Sequence, residues 1–452
     1  MSRAPRPSDM EAGYRAAVAA LHARGRYGIS LGLERVTALL EDLGRPERVL
    51  RGALVGGTNG KGSVVALTLA VLRQVGLRVG SMPKPHLVAY RERIAIGGDP
   101  VSPARFTAAL NRVLPAVDRV AARLGPPTEF EVLTAAAFAE LARAEVDLVL
   151  VEVGLGGRLD ATNALDPGVA VITNVQLDHE KQLGPNLTTI GGEKAAIIKP
   201  GNLAVTGAVG RGLLPIVERS RSLGVPLRRV GAGQEYTAAV QQAGWDGLLV
   251  DAITPARRLP DLRIGLLGSH QAQNAAVALA LLDALAEDAQ RRGAALAITE
   301  AAIRTGFGAA RWPGRMELLP TTRYGPVLLD GAHNPAGARA LAAALAELGL
   351  RGFPLVFGAM HGKQVGAALR ALAPLEPTVI FTRVADPKAH QPASLLHSWR
   401  RFATGGQVAA SPELALRAAA GLRRTPDQPI VVAGSLYLVG AVRAILTGEQ
   451  EE

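Results

Sequence analysis

The chain has 452 residues, of which 48% are apolar, so two or three domains with sizeable cores are open to it. It has no cysteine, which excludes disulfides and thiolate metal sites and fits a reducing compartment. A balance of 50 Lys+Arg against 39 Asp+Glu gives +11, but the basic residues are scattered and only 4% of residues are aromatic. That pattern fits attraction of small polyanions better than a stacking surface for single-stranded nucleic acid. Met1 to Met10 carries Arg3 and Arg6 with no apolar run behind them, so no secretory leader is expected. The most apolar helix candidate, from Asn274 to Leu285, is too short and alanine-rich to span a bilayer, and a cytoplasmic protein is predicted.

In chain order, Val49 to Val55 reads as a buried strand and Val64 to Val75 as a helix stopped by Gly76. Between them lies Gly57-Thr58-Asn59-Gly60-Lys61-Gly62-Ser63. A strand, a glycine-rich turn with a lysine, then a helix is an arrangement that holds phosphates. Backbone N–H groups approach the oxygens, and the helix N-terminus and the ammonium add positive charge. The run is not a Walker A loop: that motif's first glycine would fall at Val55, and Gly62 separates Lys61 from Ser63.

Further strands are predicted at Leu77–Gly80, Leu148–Val153 and Val169–Thr173. Ser102-Pro103 reads as an N-cap with proline at the first helical position, and Thr128 to Glu131 as a capping box opening a helix from Glu129 to Arg143. The pattern shortens from Leu203 to Leu267, which predicts a smaller sheet beside the first. A long helix runs from His270 to about Arg292, and Gly306 to Gly314 breaks the periodicity as a linker. A second series follows, with strands at Val327–Leu329, Leu355–Phe357, Val379–Phe381 and Ile430–Val432. The fold class predicted is α/β in two domains, residues 1–308 and 315–452, with the active site in the cleft between them.

Polar motifs fall at the predicted strand ends. Glu152 closes one strand beside the phosphate loop, and a carboxylate there suits Mg²⁺, which prefers hard oxygen donors. His179 follows the next strand; alone it would be a structural histidine, and Glu152 adds weight to a ligand role. Lys194, by pattern, is an ordinary surface lysine. Asp330 and His333 follow a strand of the second series, with Asn334 placed to cap the next helix.

The motifs GTNGKGS (57–63), PHL (85–87), EVGLGGRLDATN (152–163), LDH (177–179), EKAAIIKPG (193–201), GSHQAQNAAVALA (268–280), WPGRME (312–317), DGAHNP (330–335) and GSLYLVG (434–440) lie in one order along the chain. Together they resemble folylpolyglutamate synthase/dihydrofolate synthase, within the Mur ligase superfamily of ATP-dependent amide ligases. The resemblance implies a P-loop-type, mostly parallel first sheet with a small extra sheet, and a Rossmann-like second domain that carries the glutamate step. It implies that Gly57 to Ser63 hold the ATP phosphates, with Lys61 on the β/γ oxygens. Asn274 would lie near adenine, and Arg315 and Asp330 would close over ATP. Glu152 and His179 would ligate magnesium, and Lys194, as a carbamate, would help to bind a second ion. His333 and Ser435 would lie near the incoming glutamate, with Lys61, Lys194 and His333 as the catalytic group. Phe130, Glu131, Asp160 and Ala161 fall where the family builds its pterin pocket; for Glu131 the capping role competes equally.

The partners implied are ATP, L-glutamate and dihydropteroate or reduced folates, acted on by a monomer, with no nucleic acid or membrane partner. Two departures stand out. The family has Ser or Thr before Pro-His-Leu, where this chain has Lys84, which cannot be a metal ligand while protonated and would touch a phosphate or point to solvent. An acidic Asp-Lys-Asp motif is replaced by His361-Gly362-Lys363-Gln364, so that only Lys363 matches. Rival functions are a Mur-type ligase acting on a cell-wall precursor and a basic P-loop ATPase that binds nucleic acid; the LGGRLDATN and HQAQN segments favour the folate branch.

Overall fold

The structure is a computed structural model that describes residues 7–25, 32–320 and 323–449. Arg3 and Arg6, on which the reading of a leader rests, lie outside the described residues.

The first sheet has eight strands, in the spatial order Asp99–Pro100, Ala95–Ile96, Val79–Met82, Leu148–Glu152, Gly52–Gly56, Gly168–Ile172, Leu203–Thr206 and Leu227–Arg229. From Val79–Met82 onward every pairing is parallel; the two short strands at the other edge are antiparallel. The central strands are apolar on both faces, as a parallel sheet covered on both sides requires. Leu54, Val151 and Ile172 pack on one face with residues of the helices Pro103–Leu124 and Glu129–Arg143. Val55, Leu150 and Val171 pack on the other with residues of the helices Lys61–Gln74 and His270–Arg291.

The small antiparallel sheet is Thr237–Gly244, Gly247–Ile253 and Arg258–Ile264. The second body has six strands in the order Glu317–Leu319, Val327–Leu329, Ile430–Ala433, Pro354–Phe357, Thr378–Phe381 and Gln407–Val408, parallel except for the first.

Several expectations are corrected. Val49 ends a 3₁₀ turn, Pro46–Val49, and is 70% exposed, so the strand begins only at Gly52. The helix after the loop starts at Lys61 rather than Val64, because left-handed Gly60 (φ 80°) turns the chain directly into it. The strand predicted at Leu77–Gly80 is shifted to Val79–Met82. Leu203–Thr206 and Leu227–Arg229 extend the main sheet, so the extra sheet is confined to the three later strands. Gly306 to Ala309 belong to the helix Glu300–Ala309 and not to a linker. Gly306 is there for close approach: a Cβ would fall 2.7 Å from the backbone of Val71 on the facing helix. The capping box at Thr128 and the caps at Ser102 and Asn334 form as read.

Candidate active site

The carboxyl ends of the two parallel sheets open onto one cleft of about 1080 Å³, where ligands of such sheets bind. The loop after Gly52–Gly56 forms one wall. Gly57 has φ 139°, and a Cβ there would fall 1.9 Å from Thr173 Oγ1, so only glycine lets the loop lie against the next strand end. Thr173 Oγ1 donates to Asn59 O (2.6 Å), and Asn59 N–H donates to Asn174 Oδ1 (3.0 Å). Thr58 Oγ1 donates to Gln176 O at 3.2 Å. The helix Lys61–Gln74 has no side-chain cap at Gly60, which leaves first-turn N–H groups to face an anion. Lys61 Nζ donates to Gly57 O (3.2 Å) and Thr58 O (3.3 Å) and stands 3.9 Å from Glu152 Oε1. Burial lowers its pKa, and Glu152 opposes that. Asn274 lies against Gly60 and donates from Nδ2 to Gln271 Oε1 at 2.8 Å.

Glu152 is buried at its strand end, and its Oε2 accepts from the Lys84 N–H at 3.2 Å. Lys194, read by pattern as a surface lysine, is buried at 4% exposure, since the last turn of its helix packs into the site. Burial first and the Lys61 charge next bring its pKa to about 7. His179 adopts left-handed backbone, φ 52°, and its pKa is lowered by burial and by Lys363. Among the described residues no three His, Asp or Glu side chains cluster to hold a metal. Glu152 and His179 supply two donors of the right chemistry, and a neutral Lys194 amine can take up CO₂ to add carbamate oxygens. With that addition the donor set fits a hard divalent ion.

Lys84 does not point to solvent, which corrects that expectation. Its side chain is 6% exposed, with Nζ 3.8 Å above the Phe130 ring and 3.8 Å from Asp160 Oδ1, because the stem turns away from solvent along the strand end. Asp160 is a structural knot: Oδ2 accepts from the N–H groups of Gly154 (3.0 Å) and Leu155 (2.8 Å), and Oδ1 from Thr162 N–H (3.0 Å) and Oγ1 (2.5 Å). Ala161 follows in the same cleft wall. Glu131 Oε2 accepts from Thr128 N–H (2.7 Å), Thr128 Oγ1 (2.9 Å) and Arg35 Nε (3.0 Å), so the capping role engages its carboxylate.

From the second sheet, half-buried Asp330 accepts from Met316 N–H (3.0 Å) and Ala332 N–H (2.9 Å), and desolvation raises its pKa against the pull of Arg315. His333 Nδ1 is 2.7 Å from Gly331 O, and burial holds its pKa at about 4. With Nδ1–H donating to that carbonyl, the Nε2 lone pair is left free, 4.0 Å from Asp178 Oδ2. Ser435 Oγ accepts from Tyr437 N–H at 3.2 Å as a helix cap. Asn334 does more than cap: Nδ2 donates to Asp178 Oδ2 (2.9 Å) and Asn59 Oδ1 (3.2 Å) across the cleft. Lys363 Nζ donates to Asp178 Oδ1 at 3.1 Å. Sequence reasoning missed Asp178 and Arg93, whose Nε donates to His86 Nδ1 at 3.0 Å on the cleft wall. For Asp178 the signal was its place within LDH (177–179), while Arg93 lies six residues after PHL (85–87) and carried none.

Residues 314–436 match the Mur ligase glutamate ligase domain and residues 102–282 the Mur ligase middle domain. The chain is 32% identical to dihydrofolate synthase/folylpolyglutamate synthase of Bacillus subtilis over 430 residues, covering 94% of this chain and 96% of that one. Its structure is similar to that of Mycobacterium tuberculosis folylpolyglutamate synthase complexed with ADP and AMPPCP, with a TM-score of 0.88, 32% identity and coverage of 98% and 100%. It is also similar to the bifunctional folylpolyglutamate synthase/dihydrofolate synthase of Yersinia pestis complexed with AMPPNP and a Mn ion, with a TM-score of 0.81, 30% identity and coverage of 96% and 98%.

Proposed function

The chain belongs to the folylpolyglutamate synthase/dihydrofolate synthase family of ATP-dependent ligases, and we propose that it adds L-glutamate to dihydropteroate, to the glutamate tail of reduced folates, or to both. The observation that carries this reading is the convergence of the phosphate loop and the Asp330–Asn334 strand end on one cleft, bridged by Asn334. Residues 1–308 would then bind ATP and the folate substrate, and 315–452 would bring the glutamate.

A carboxylate is a poor electrophile, so its oxygen first attacks the γ-phosphorus of ATP and ADP leaves. The glutamate amine then attacks the carbonyl carbon of the acyl phosphate, loses its proton, and the tetrahedral intermediate expels phosphate. Catalysis of this kind is positioning and neutralisation of charge. Lys61 and the loop N–H groups would hold the β- and γ-phosphates, and Arg315 and Asp330 would close over ATP beside Asn274. Glu152, His179 and carbamylated Lys194 would hold magnesium, at two sites, to neutralise phosphate oxygens. His333 Nε2 would accept a hydrogen bond from the incoming ammonium, with Ser435 nearby. Phe130, Glu131, Asp160 and Ala161 would wall the pterin site. Closure of the two bodies excludes water that would hydrolyse the acyl phosphate.

On this reading the protein works as a cytoplasmic monomer on small molecules. Purified protein is assayed with ATP, magnesium and glutamate, comparing dihydropteroate with tetrahydrofolate. At least one is glutamylated with release of phosphate; failure with both, in folded protein that binds ATP, would sink the reading.

A further inference from the structure

Lys84 is a charged group of the cleft that the proposed mechanism leaves unused. Its main chain is anchored beside the phosphate loop through Glu152, and its stem runs along Gly154, where a Cβ would fall 3.5 Å from Lys84 Cδ. The ammonium ends over Phe130, in the cleft that Leu155 and Leu159 also line. Asp160 Oδ1, at 3.8 Å, is close enough to balance its charge but too far to accept a hydrogen bond. Asp160 has little capacity left, because its two oxygens already accept four hydrogen bonds from Gly154, Leu155 and Thr162. Buried Nζ therefore has no acceptor for its N–H groups among the described residues.

A buried donor without an acceptor is costly, and a ligand that brings one removes the cost. The surroundings define that ligand. The apolar side chains of the cleft wall take a flat ring, and the ammonium, which covers one face of Phe130, takes an oxygen or nitrogen acceptor on the ligand ring's edge. We propose that Lys84 is a specificity-determining residue for the folate substrate, its Nζ donating a hydrogen bond to a ring carbonyl oxygen or ring nitrogen. This rests on the function proposed above and adds to it a contact peculiar to a chain with lysine at this position.

The test compares steady-state kinetics of the full chain with those of Lys84→Met and Lys84→Ala, using whichever of dihydropteroate and tetrahydrofolate the wild type glutamylates. Both variants raise the KM for the folate substrate about tenfold or more, while the KM for ATP and the magnesium concentration for half-activation stay within about twofold. Lys84→Arg, which keeps a charged donor, recovers part of the loss. Melting temperatures identify a misfolded variant, and the alanine variant serves if the methionine one does not fold. A folate KM that is unchanged or lower in the folded variants overturns the proposal, and so does a change confined to ATP or magnesium. Wild-type protein that glutamylates neither compound overturns the function itself, and the role of Lys84 with it.

Discussion

Lys363 and Asp178 face each other across the cleft, with Nζ 3.1 Å from Oδ1, and join the loop after the strand Pro354–Phe357 to the loop after Gly168–Ile172. Asn334 adds a bond to the other Asp178 oxygen, and Gln364 Nε2 donates to Glu180 Oε1 at 3.1 Å. Burial alone would raise the Asp178 carboxyl, but the charges of Lys363 and His179 and the hydrogen bonds from Asn334 and Lys363 override it and bring the pKa to about 2. These contacts bridge the two bodies across the cleft beside the phosphate loop.

Lys363→Met therefore opens the cleft and lowers kcat about tenfold, read by turnover together with an increased radius in small-angle scattering. A variant as compact and as active as the wild type would remove the latch.

The same pair has a definite pH signature. A carboxylate depressed in the folded state contributes stability that is present above its unfolded pKa and lost as pH falls through the folded one. The difference in urea midpoint between wild type and Asp178→Asn is thus full above about pH 4 and shrinks toward about pH 2. A gap that widens on acidification would contradict this.

Lys194 yields a prediction of opposite sense. With its pKa near 7, the reactive neutral amine grows as pH rises through that value. Carbamate detected by ¹³C NMR in ¹³CO₂ held at constant pressure increases from about pH 6 to about pH 8, and Lys194→Ala loses about a hundredfold or more in kcat. Near-normal turnover in the alanine variant would reject the carbamate role.

His333 stays neutral well below pH 7, since burial first and Lys363 next hold it at about 4. The pH profile of kcat/KM for glutamate accordingly shows no limb between about pH 5.5 and about pH 7 that His333→Gln abolishes. Finding such a limb would show that the ring titrates in the working range.

Two glycines separate loop geometry from backbone freedom. Gly57→Ala must displace Thr173, so it raises the KM for ATP about tenfold or more and lowers the melting temperature. Gly76→Ala, also at positive φ (80°) but with nothing within 4 Å, costs only about 1 kcal/mol and leaves ATP binding intact.

The order of strands and helices, the caps at Ser102, Thr128 and Asn334, and the polar motifs at strand ends were legible in the chain itself. Local periodicity and capping chemistry depend on neighbours a few residues away, and a parallel sheet places each strand end on the same rim. Boundaries failed where packing decides them, as at Gly306, which sequence reads as a break and the fold uses for contact with Val71. Only the tertiary structure decided which of the polar residues are already satisfied and which remain free. Lys194 became a buried amine, Glu131 was engaged by Thr128 and Arg35, and Asp178 met Lys363 from a strand end 185 positions away. Lys84, out of place by motif, turned into an unpartnered donor because the nearest carboxylate was already occupied. Hydrogen-bond satisfaction and desolvation are set by every group packed around an atom, and most of those groups are distant in sequence.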